Sequence, residues 1–188
     1  MPRIPLVTET SDLNPDQRRV VDAILGKRGG RIPGPFRLSL HCPEVTEAWH
    51  PLGEVLRLKT TFPLRLSEFA ILITARAWDC EYVFNAHASI ALQDGLAQSV
   101  VDQLAAGERP KDMKADEEAI YDYCTEMYRD HAVSDASYAR ALKLFGTAKV
   151  VELTCLIGYY SMVAMTILAH QMPVQDGAAY RLAPRAAR

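Results

Sequence analysis

The sequence predicts an all-α helical bundle, and three observations predict it. Apolar residues recur at helical spacing in nearly every periodic segment. No stretch alternates apolar and polar residues long enough to make a strand. Cap residues stand where the periodic stretches begin and end.

Taken in order, Asn14 followed by Pro15 opens PDQRRVVDAILGKRG, with Val20, Val21, Ile24 and Leu25 as its apolar stripe and Gly29–Gly30 as its stop. RIPGPF reads as a linker and PFRLSLHC as a short turn. Pro43 opens EVTEAWHPLGEVLRLKT, which Pro51 should break or kink because proline removes a helical donor. Ser67 reads as the cap of the next helix, ending near Ala77. Trp78-Asp79-Cys80 is then a joint, with Asp79 capping a second helix that stops near Gly95; the alternative is one unbroken helix. Leu96 to Ala106 is a short helix closed by Gly107. Asp116 to His131 turns Ile120, Tyr123, Cys124, Met127 and Tyr128 inward. Ser134 caps DASYARALKLFG, Gly146 ends it, and Thr147 opens a long apolar helix that stops before Pro173.

That last helix holds 17 uncharged residues from Leu153 to Ala169, at the short limit for a membrane span. Gly158, Ser161 and two tyrosines interrupt it, so a helix buried in a core or a subunit interface is expected. A net charge of −2 exerts no pull toward nucleic acid or anionic lipid. The N-terminus MPRIPLVTETSD lacks the apolar run of a signal peptide, and Cys42, Cys80, Cys124 and Cys155 are too irregularly spaced for a disulfide framework. A cytoplasmic location is expected on these grounds. His41, Cys42 and His50 lack metal-ligand spacing, so neither metal nor cofactor is expected.

The chemistry-bearing residues gather between Ser67 and Gly95, where Glu68, Cys80 and His87 stand in an apolar stretch. Cys80 and His87 are seven positions apart, two helical turns, so on one helix they share a face about 10 Å apart. A break at Asp79 would let Glu68 return alongside; without it, Glu68 could meet Cys80 only across a subunit interface. The break would also place Cys80 in a first turn, where free N–H groups favour a thiolate. His87 could act as a base, and Glu68 among Phe69, Ile71 and Leu72 could pass a proton. Each has an ordinary alternative: a core thiol, a satisfied core imidazole and a helix-dipole carboxylate. Arg76, Tyr82 and Tyr159 are the candidate substrate-binding side chains, with Arg65 and Tyr160 beside them; a solvated ion pair and core packing are their alternatives.

The pattern Glu-x11-Cys-x6-His, with Phe62-Pro63-Leu64-Arg65 leading in and ASIALQDGL following the imidazole, resembles the signature of the carboxymuconolactone decarboxylase and AhpD-like alkylhydroperoxidase superfamily. The family pattern is a Glu, eleven residues, then C-x-x-C-x-x-x-H, and Glu68, Cys80 and His87 match it. The resemblance spans about residues 35–174, including the closing IGYYSMVAMTILAHQMPV. It implies an AhpD-like bundle assembling as a homo-oligomer, a trimer or hexamer. Residues 1–34 would be an N-terminal helix and linker, and 175–188 a flexible tail.

One position departs. Val83 stands where the family has its second cysteine, so the dithiol cycle of the peroxidase members cannot close. The implied functions are decarboxylation of a small carboxylated lactone or related ring-cleavage product, with Glu68 and His87 handling protons and Cys80 in the pocket. The alternatives are a one-Cys thiol peroxidase that uses Cys80 on a peroxide, and a non-catalytic binding scaffold.

Overall fold

The computed structural model describes residues 1–26 and 31–184, and among these it contains eight helices and no strand. The Gly29–Gly30 stop lies outside the described residues. The chain divides into two compact units: Met1–Lys59 with Met165–Pro173, and Thr60–Ala164 with Val174–Arg188.

In the first unit, α1 (Pro15–Leu25) begins at Asn14, whose side chain accepts from the Gln17 amide while the Gln17 side chain accepts from the Asn14 amide. This reciprocal capping satisfies two of the donors that a helix start leaves open. Val20 and Val21 are its buried stripe. Phe36–Ser39 forms one short turn, α2, and α3 runs over Pro43–Leu58. Of the break or kink expected at Pro51, the break does not occur, and α3 continues through it. Pro51 and Glu47, whose carbonyl loses its helical donor, are both exposed, so the loss falls on a solvent-facing side of the helix.

The second unit is built around α4 (Leu64–Ala77), which is buried from Leu66 to Arg76. It packs between α5 (Glu81–Gln93) and α7 (Ala115–Asp130), with α6 (Gln98–Ala105) at its side. Phe69, Leu72, Phe84, Ile120, Leu153 and Leu156 fill the core. Each such side chain contributes about 1.5–3 kcal/mol by leaving water. The start of α4 corrects the sequence reading. Its cap is Pro63, and Ser67 lies inside the first turn with its hydroxyl donating to the Leu64 carbonyl at 3.0 Å. A buried serine that spends its hydroxyl on its own helix cannot cap it.

The last helix, α8, spans Asp135–Ala169 and is interrupted at Gly146, whose φ of 79° and ψ of 166° are not helical. The predicted stop and restart is therefore present, with the Ser134 hydroxyl accepting from the Ser137 amide at its head. Length and composition would suffice for a membrane span, and half of its most apolar stretch is buried inside the chain.

Candidate active site

The joint at residues 78–80 positions the site. Trp78 ends α4, Asp79 takes a left-handed φ of 51°, and Cys80 caps α5. The cap is thus Cys80 rather than Asp79, whose carboxylate pairs with Arg76. The reversal folds α5 back along α4, which brings position 68 beside position 87.

There the Nδ1–H of His87 donates to Oε2 of Glu68 at 2.5 Å. Both are buried, Glu68 at 1% exposure and His87 at 7%. Glu68 does not sit at the helix start as a dipole partner, since α4 begins four residues earlier. Tyr160 from α8 sets its ring edge-to-face against His87 at 5.0 Å, and Tyr159 stands edge-to-face with Tyr160 at 5.4 Å. The imidazole is held by one hydrogen bond and one aromatic wall, and Nε2 is the ring nitrogen that Glu68 does not engage. Sequence reading put Tyr159 forward; the ring that meets His87 is that of its neighbour. Helical phase on α8 alone could not choose between them.

Cys80 lies two turns back along α5, and the helical rise sets it about 10 Å from His87. It is fully buried. Burial pushes its thiol up to about 11, although the Val83 and Tyr82 backbone groups at the helix start pull the other way. The expected thiolate at a helix start is thus corrected: the helix start pulls the thiol down, and desolvation outweighs it. Val83 is buried one turn further on.

Arg76 lies eight residues beyond Glu68 on α4, about 12 Å along the axis and roughly 80° around it. Besides Asp79, it donates to the Ala183 carbonyl at 2.9 Å. Its guanidinium borders a cavity of about 370 Å³ lined also by Ile73, Leu104, Tyr121, Tyr128 and Arg129. Arg65 is committed to Asp116 at 2.6 Å and to Glu117. Tyr82 is half-buried in the first turn of α5. The structure therefore joins Glu68, His87 and Tyr160 at one point and sets Cys80 and Arg76 along the same two helices.

No protein-family model matches the chain, and no curated protein matches it in sequence. Solved structures do match. The alkylhydroperoxidase AhpD core of an uncharacterized peroxidase-related protein from Ralstonia eutropha JMP134 superposes with a TM-score of 0.76 at 21% identity, covering 93% of both chains. An uncharacterized peroxidase-related protein from Silicibacter sp. TM1040 gives 0.74 at 16% identity, over 94% of this chain and 95% of that one. The debrominase Bmp8, in a cysteine-to-alanine form bound to 2,3,4-tribromopyrrole, gives 0.70 at 15% identity, over 94% and 95%. The chain has the AhpD-like fold, which among these neighbours serves an enzyme.

Proposed function

We propose that this chain is an AhpD-like enzyme that works by proton transfer, in the manner of a carboxymuconolactone decarboxylase, removing CO2 without oxidation from a small carboxylated lactone or related aromatic ring-cleavage product. The observation that carries the reading is the buried 2.5 Å contact between Glu68 and His87. In this reading the Glu68 carboxyl group fixes the His87 ring so that Nε2 is the nitrogen that delivers the proton. As the carbon–carboxylate bond breaks, its electron pair passes into the conjugated lactone carbonyl. Nε2–H then protonates the resulting dienolate carbon, and solvent restores the proton. Arg76, Tyr82 and Tyr159 carry substrate binding in this reading, with Arg76 exchanging its Asp79 partner for the substrate carboxylate. No cofactor enters the scheme.

The functional unit is proposed to be a cytoplasmic trimer or hexamer. Support for assembly comes from Leu144 and Val151 on α8, which are exposed at 47% and 56% and are apolar.

A second reading has one observation in its favour: Cys80 is the N-cap of α5, where the Val83 and Tyr82 backbone groups act to lower its thiol, as a peroxide-attacking thiolate would need. Turnover assays separate the two. With a carboxylated lactone as substrate, Glu68→Gln and His87→Ala should each lower kcat by about 10²–10⁴. Unimpaired turnover in both variants defeats the decarboxylase reading. Peroxide consumption abolished by Cys80→Ser would establish the peroxidase instead, and silence in both assays would leave the binding scaffold.

A further inference from the structure

Residues 175–184, expected from sequence to be a loose tail, lie along α5. The Asn85 side chain donates to the Tyr180 carbonyl at 3.0 Å and accepts from the Tyr180 amide at 2.8 Å, so one amide group satisfies both backbone groups of an extended residue. The Glu81 carboxylate accepts from the Leu182 amide at 3.0 Å and pairs with Arg181 at 2.9 Å. Ala183 donates to the Ala105 carbonyl at 3.1 Å and accepts from Arg76 at 2.9 Å. The Tyr180 ring stands edge-to-face on Phe84 at 5.3 Å, and its hydroxyl accepts from Gln98 at 2.8 Å.

Four of the residues so engaged, Arg76, Glu81, Phe84 and Asn85, flank Cys80 on both sides in sequence. The Cys80 amide donates to Ala75 and its carbonyl accepts from Phe84, so its backbone lies between the residues that hold the segment, and Cys80 itself is fully buried. The segment is nevertheless weakly seated. Gly177, Ala178, Ala179 and Ala183 bury little apolar area, and its first half bridges a cavity of about 590 Å³ lined by Asn85, Ser89, Leu92, Gln98, Asp176 and Tyr180. A segment held by a few polar contacts above a void opens locally far more readily than the helices beneath it.

We propose that residues 175–184 are a detachable cover on the first turn of α5, latched by Asn85 and Tyr180, and that its release admits solvent and small reactants to Cys80. The inference does not depend on which reaction the site performs.

The test uses the full-length protein with Tyr180→Ala and, separately, Asn85→Ala. Iodoacetamide alkylation is followed at each cysteine by mass spectrometry, alongside hydrogen exchange at the Leu182 and Ala183 amides. Cys124, buried on α7, reports general loosening. The expected result is at least tenfold faster alkylation of Cys80, with parallel acceleration at the two amides and an unchanged Cys124 rate. Faster amide exchange without faster Cys80 labelling would show that the segment lifts without exposing the thiol, which overturns the proposal. An equal rise at Cys80 and Cys124, or no change at either Cys80 or the two amides, overturns it as well.

Discussion

His87 Nδ1 and Glu68 Oε2 meet at 2.5 Å although nineteen positions separate them in the chain. Two structural facts produce the contact: the left-handed Asp79 turns the chain, and α5 then runs back along α4. Such a pair is costly to break from one side, because the remaining partner is left buried without compensation. His87→Ala should therefore destabilise the fold by about 3–5 kcal/mol. The double substitution Glu68→Leu with His87→Ala should cost clearly less than the sum of the single changes. Urea unfolding of the four proteins measures this, and strictly additive costs would refute a coupled pair.

Cys80 should behave as an inert thiol at neutral pH. With burial holding it up to about 11, its thiolate fraction at pH 7 is about 100-fold below that of an ordinary exposed thiol. Alkylation of the native protein should thus label exposed Cys42 and Cys155 long before Cys80. The folded thiol titrates above its unfolded value. Its contribution to stability is therefore complete at lower pH and lost as pH rises from the unfolded value toward 11. Cys80→Ala should flatten that alkaline limb; an identical limb in the variant would count against the assignment.

Val83→Cys tests the missing thiol. Position 83 is buried one helical turn from Cys80, so the change restores the C-x-x-C spacing on the α5 start. A mild oxidant should convert this variant, and not the parent, to a form lighter by two hydrogens, detected by intact mass. If both cysteines stay reduced under excess peroxide, Val83 is not what withholds dithiol chemistry.

Two glycines should resist substitution for different reasons. A β-carbon at Gly146 would meet no atom within 4 Å, yet the φ of 79° with ψ of 166° there suits only glycine. Gly146→Ala should cost about 1–3 kcal/mol through the backbone alone. Gly107, with φ of 81°, would in addition press a β-carbon to 2.7 Å from Arg76 Nη2. Gly107→Ala should thus cost at least as much and also disturb the Arg76 contact to Ala183, visible as faster hydrogen exchange at the Ala183 amide. Thermal unfolding of both variants with an unchanged midpoint would contradict this.

The sequence by itself determined the local grammar of this protein. Asn14, Gly107, Ser134 and Gly146 act through caps and backbone angles that depend on nearby residues alone, so their helix ends were legible. The joint at residues 78–80 and the spacing of Glu68, Cys80 and His87 were legible for the same reason. Tertiary structure decided the rest. It let α3 run through Pro51 because the orphaned carbonyl faces water, and it started α4 at Pro63 because Ser67 is buried. It chose Tyr160 as the ring against His87, and it laid residues 175–184 on α5 through side chains roughly a hundred positions away. Above all it set the state of Cys80. A helix start predicts a thiolate, while burial in the fold removes the water that a thiolate requires, and desolvation is a property of the whole fold that no spacing of residues records.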